Sequence, residues 1–304
     1  MAALKLIKKS VVRLKIFIFF NTFHAGWLLM NKSKFMMKAD TIFERLWEQY
    51  TEENPGAGQI HQLFQNAGEQ VVNDHVAFRT FDDPRVNIDV LAKPFIDAGY
   101  QQAGEYYFEK KKLRARHYEL PGSPESPRVF ISELILEEFS SELQDIIRGQ
   151  LDQVPREILT SPDLIFRGSI FGSVSYAVYS RLRDESEYAA WMYAFGYRAN
   201  HFTVSINYLK NFKGIKEVNS FLKSNGFQLN SSGGEIKGTP EQLLEQSSTL
   251  ADQVEVAFSD GVHAIPGCYY EFARRYPDST GKLFSGFIAG SADKIFESTD
   301  YRNS

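Results

Sequence analysis

Apolar and polar positions change their period several times along the chain. Over residues 39–51 the apolar positions recur three and four apart, which predicts an amphipathic helix. From Asn73 the pattern becomes that of a strand. Asn73-Asp-His75-Val-Ala-Phe-Arg79 is a short polar lead, a histidine and a run of strand formers, and Ala199-Asn-His201-Phe-Thr-Val-Ser205 has the same layout. Both segments are followed at the same spacing by the end of an amphipathic helix, a glycine cap and an aromatic-Gln entry to the next strand. In the first half this reads Phe95-Ile-Asp-Ala-Gly-Tyr-Gln101, and in the second Phe221-Leu-Lys-Ser-Asn-Gly-Phe-Gln228. A match of strand, histidine, helix and cap in both halves predicts a duplicated unit.

Beyond each of these helices the chain is rich in strand formers. Strands are predicted over 105–110, 113–120 and 128–136 in the first half, and over 235–237, 253–259 and 268–274 in the second. A helical insertion is predicted over 239–246. The expected fold is therefore α+β: two βαβββ units, about 70–136 and 198–275, form a curved, partly open barrel around a metal site. A helical connector over about 137–197 joins them. Together they make one domain over 40–304.

Composition supports a packed domain, with 43% hydrophobic and 24% charged residues in 304. The charge is uneven. Residues 1–39 hold eight basic residues and no acid, leaving 26 basic against 38 acidic residues in the rest. So acidic a body repels phosphate backbones, which argues against a nucleic-acid partner. The segment 1–39 has a basic start and about fifteen apolar residues from Ile16 to Met30, with no small-residue cleavage site after them. It reads as a non-core extension, from a misassigned start or a signal-like segment, and is too short and interrupted for a comfortable membrane span. No membrane partner is expected for the core. One cysteine, Cys268, excludes an intrachain disulfide and fits a reducing, cytoplasmic setting.

The chemistry sits at the repeat-equivalent histidines. A lone histidine on a strand is ordinarily just an imidazole in the core or at the surface. Two at one phase of a duplicated unit would meet across a pseudo-two-fold axis and could share a metal. Glu133 and Glu271, each on the last strand of its unit, are alternative third ligands; the repeat permits either. Two imidazoles and a carboxylate are the facial donor set of non-haem iron(II) oxygenases, and zinc or manganese could take the same ligands. By strand alternation Arg79 shares the face of His75, where it invites a carboxylate of the substrate or pairs with Glu133. Thr203 and Ser205 share the face of His201 as hydrogen-bond donors. His61, His117 and His263 are read as structural or solvated.

The paired units with His…His…Glu resemble the vicinal oxygen chelate superfamily. More narrowly, Asp74-His75-Val-Ala-Phe-Arg79, Asn200-His201-Phe-Thr, Tyr270-Glu271-Phe-Ala and the tail from Gly286-Phe-Ile to Phe-Glu-Ser resemble the 2-oxoadipate dioxygenase/decarboxylase family over about residues 40–304. The resemblance implies an Fe(II) enzyme with His75, His201 and Glu271 on the metal and no organic cofactor. It would convert 2-oxoadipate and O2 to 2-hydroxyglutarate and CO2 in lysine breakdown. It also implies that Arg79 pairs with a substrate carboxylate, and that Ser291, on a loop after Phe287-Ile-Ala-Gly, contacts substrate. Alternative functions are a zinc- or nickel-dependent isomerase or hydrolase on the same scaffold, or a non-catalytic small-molecule-binding protein.

Overall fold

The predicted first helix forms as α1 (Ala39–Glu53), and its apolar stripe of Ile42, Phe43, Leu46 and Tyr50 is buried. The computed structural model describes residues 37–296. The extension up to residue 36 and the Glu-Ser end of the tail motif lie outside them. A second helix, α2 (Pro55–Asn66), begins with proline, whose missing N–H costs nothing in a first turn.

The first unit runs β1 (Asn73–Phe81), α3 (Ile88–Asp97), β2 (Gln101–Phe108), β3 (Leu113–Glu119) and β4 (Arg128–Leu134). The connector continues as α4 (Ser141–Gln153), α5 (Arg156–Leu159), α6 (Tyr176–Glu185) and α7 (Glu187–Phe195). The second unit runs β5 (Ala199–Ser205), α8 (Ile215–Ser224), β6 (Lys237–Thr239), β7 (Leu244–Ser248), a hairpin of β8 (Gln253–Phe258) and β9 (Gly261–Pro266), β10 (Glu271–Arg275) and then α9 (Ala289–Phe296).

Eight strands make one strongly curled sheet in the order β2-β3-β4-β1-β5-β10-β7-β6. The order is symmetric about the β1–β5 seam. Each unit pairs its first strand in parallel with its last, and the two first strands meet antiparallel. The expected α+β, two-unit curved architecture is thus present.

Two elements of the second unit differ from expectation. Residues 239–246 are not a helical insertion. Thr239 caps a single 3-10 turn, Pro240–Gln242, Leu243 adopts a left-handed conformation, and the chain enters β7. Burial of Leu244, Gln246, Ser247 and Ser248 beside β10 outweighs the local helix-start chemistry of Thr-Pro-Glu. The predicted strand at 253–259 exists, but it pairs only with β9 in a separate two-stranded sheet.

Helix α7 is buried from Tyr188 to Phe195. The Tyr188 hydroxyl accepts from Thr80 N–H (2.9 Å) and donates to the Ser132 carbonyl (2.7 Å), fastening α7 to β1 and β4. The helix stops at Gly196, where φ is +68° and an added Cβ would lie 2.1 Å from the Gly168 carbonyl oxygen.

Candidate metal centre

Register decides which side chains meet. Across the β1–β5 seam Ala77 lies opposite His201 and His75 opposite Thr203, so the two histidines are diagonal neighbours on one face. Their ring centroids are 5.5 Å apart. On the other side of β5, Thr203 pairs with Glu271. Ligand atoms of His75, His201 and Glu271 all lie within 4.8 Å of one another, the one such cluster of three among the described residues. All three are buried, at 2%, 3% and 1% exposure.

Both rings are held from behind. His75 Nδ1 is 2.8 Å from Asp74 Oδ1, and His201 Nδ1 is 3.0 Å from Asn200 Oδ1, so each ring donates through Nδ1 and presents Nε2 to the centre. Asp74 is in turn gripped by Arg275, with Nε to Oδ2 at 2.7 Å and Nη2 to Oδ1 at 2.8 Å. Burial pushes the Asp74 carboxyl up, but the Arg275 charge and the His75 hydrogen bond outweigh it and hold it well below the usual carboxylate range. His201 Nε2 is 3.2 Å from Glu271 Oε2, and Thr203 Oγ1 is 3.1 Å from His75 Nε2. Gln246 donates to Glu271 Oε1 from β7. Burial lowers the pKa of His201, whereas the Glu271 carboxyl, pushed up by burial, is brought below its ordinary value by His201 and His75. Two neutral imidazoles and a carboxylate are a donor set suited to a divalent transition metal.

Glu133 is elsewhere. It lies opposite Thr80, where Oε2 accepts the Ile88 N–H at the start of α3 (3.0 Å) and Oε1 pairs with Arg114 (3.1 Å). It is therefore neither a third member of the cluster nor the partner of Arg79. Nor is it the counterpart of Glu271: Glu271 pairs with the residue two past His201, and the matching pair in the first unit is Ala77 with Phe130. The repeat thus supplies a carboxylate in one unit and a phenyl ring in the other. Phe130 packs against Phe287 at a tilt (4.8 Å, 51°), and the Phe287 ring also meets His75 edge-on (4.9 Å).

Arg79 is 2% exposed, with its guanidinium carbon 5.0 Å from the ring centres of both Tyr188 and Trp191. Ser205 is buried at the far end of β5, opposite Ala273. Ser291 falls within α9 and not on a loop. His117 is buried between Tyr106 (2.8 Å) and Glu119 (3.0 Å), and His263 stacks on Tyr176 (3.6 Å); neither joins the centre. Sequence reasoning misses Gln246, which falls in the predicted helical insertion, and Tyr269, whose ring stacks on His201 at 4.7 Å and 27°. The one available signal for Tyr269 is its place two residues before Glu271, on the same strand phase. Two surface clefts of about 1260 and 1290 Å³ are present, and none of the three clustered side chains lines either.

A curled sheet of two βαβββ units around buried His, His and Glu defines a protein of the glyoxalase, or vicinal oxygen chelate, fold class. A glyoxalase-superfamily protein of Ralstonia eutropha shares this fold at 19% identity, with a TM-score of 0.68 over 83% of this chain and 86% of that one. Within that class the chain belongs to the 2-oxoadipate dioxygenase/decarboxylase family, whose sequence model matches residues 42–165 and 165–283. The chloroplastic 2-oxoadipate dioxygenase/decarboxylase of Arabidopsis thaliana is 38% identical over 279 residues, 82% of this chain and 74% of the relative. The crystal structure of rice hydroxyglutarate synthase in complex with 2-oxoadipate matches at 36% identity and TM-score 0.77, covering 87% of this chain and 94% of that one. A Shewanella frigidimarina structure described as a hydrolase matches at 53% identity and TM-score 0.79, covering 83% and 98%.

Proposed function

We propose that this chain is a non-haem Fe(II) enzyme that converts 2-oxoadipate and O2 to 2-hydroxyglutarate and CO2, a step of lysine breakdown. The observation that carries the reading is the buried cluster of His75, His201 and Glu271, with both Nε2 atoms aimed inward, in a chain of this family. These three side chains would hold the metal, which when bound supplies the electron-transfer chemistry that O2 requires. The 2-oxo acid is its own reductant: loss of C1 as CO2 and hydroxylation of the same molecule consume one O2 and balance without a second electron donor.

The chain's own residues do the rest. Asp74 and Asn200 fix the imidazole tautomers, and Gln246 fixes the carboxylate. Arg79 holds a substrate carboxylate from its aromatic seat. Thr203 donates beside His75, Ser205 extends that polar edge, and Ser291 contacts substrate from α9. Phe287 and Phe130 keep water from the His75 side. We place the functional domain at 40–304, apart from the extension 1–39. No helix among the described residues is long and apolar enough to cross a membrane. A cytoplasmic setting suits a chain whose single cysteine, Cys268, is buried and free.

The description of the Shewanella frigidimarina relative as a hydrolase favours a second reading, hydrolysis on the same ligands. Fe(II)-loaded protein incubated with 2-oxoadipate in air is expected to yield 2-hydroxyglutarate, and none in the absence of air. Turnover that is equal without oxygen would favour the second reading. Arg79→Met is expected to keep the metal and lose saturation by dicarboxylic oxo acids; unchanged affinity would remove Arg79 from substrate binding.

A further inference from the structure

Tyr269 joins the two halves of the site. It lies two residues before Glu271, is 2% exposed, and lays its ring on His201. The Arg79 guanidinium stands close enough to the Tyr269 hydroxyl oxygen to interact with it. A guanidinium has only donors, so it can satisfy the phenol oxygen but cannot receive the phenol proton. Among the described residues that proton has no acceptor. A buried O–H without an acceptor is costly, and the shortfall is removed by a ligand that brings one.

Position says which part of a ligand that is. Arg79 is two residues beyond Ala77, the residue opposite His201, so it lies roughly 7 Å along β1 from the row of that ligand. A short oxo acid with its 2-oxo end at the three clustered donors therefore reaches Arg79 and Tyr269 with its far end. We propose that the Tyr269 hydroxyl is a substrate-binding donor that, beside Arg79, takes the second carboxylate of a dicarboxylic 2-oxo acid, and so selects such acids over monocarboxylic ones. This rests on the metal-centre reading above.

The test is anaerobic calorimetric titration of Fe(II)-loaded wild type and Tyr269→Phe with 2-oxoadipate and with 2-oxohexanoate, which lacks the second carboxylate. The variant keeps the ring over His201, so its metal content is expected to match wild type. Its affinity for 2-oxoadipate is expected to fall at least about tenfold, as for a lost hydrogen bond to a charged group, with 2-oxohexanoate changed less than about twofold. Equal losses for both acids, no loss for either, or loss of the metal would each overturn the proposal. A wild type that takes both acids equally well would instead contradict the substrate reading, and the proposal with it.

Discussion

Asp74 and Asn200 do the same task with different chemistry. Each accepts from Nδ1 of the histidine next to it in the chain, yet Asp74 also carries the charge that neutralises buried Arg275. Asp74→Asn separates these tasks. The amide can still orient His75, as Asn200 orients His201, but it leaves the guanidinium buried without its counter-charge. We expect a stability loss of about 3–5 kcal/mol in denaturant titrations, with metal still bound. Gln246→Leu does the reverse. It conserves volume and removes the donor to Glu271 Oε1, so metal affinity measured by competition with a chelator is expected to fall about 10–100-fold, with little change in the unfolding midpoint of the metal-free protein. His201→Ala is expected to abolish both metal binding and turnover; a stoichiometric metal in that variant would remove His201 from the centre.

At the scale of elements, α7 is the wall against which the Arg79 guanidinium is seated, through Tyr188 and Trp191. It is pinned through Tyr188 and ended at Gly196. Gly196→Ala adds a Cβ at positive φ against the Gly168 carbonyl and is expected to cost at least about 2 kcal/mol, read as a lower unfolding midpoint. The contrast between β1 and β7 shows how far such elements can be read from the chain. His75 and His201 are legible because each announces itself locally and the duplication repeats the announcement at one strand phase. β7 is not, because Thr239-Pro-Glu is a sound local helix start and the reason it stops after one turn is a place beside β10 that no local pattern reveals. Gln246 is hidden with it. The choice between Glu133 and Glu271 is likewise open in the sequence, because both lie on the last strand of a unit and only the register of β4 on β1 and of β10 on β5 separates them.

For the whole molecule, two units share one sheet and place the cluster across their seam, with His75 from one and His201 and Glu271 from the other. A metal there bridges the halves and binds only the folded chain. Removal by a chelator is therefore expected to lower the melting temperature. Free metal at a hundredfold excess over Kd is worth about 2.7 kcal/mol, or roughly 4–5 °C for a chain of this size. An unchanged melting curve would mean that the cluster holds no metal. The reaction itself is tested most directly by oxygen uptake and CO2 release by Fe(II)-loaded protein given 2-oxoadipate. One O2 is expected to be consumed for each CO2 released and each 2-hydroxyglutarate formed. Product formed without oxygen uptake, or no uptake by protein shown to hold its metal, would contradict it.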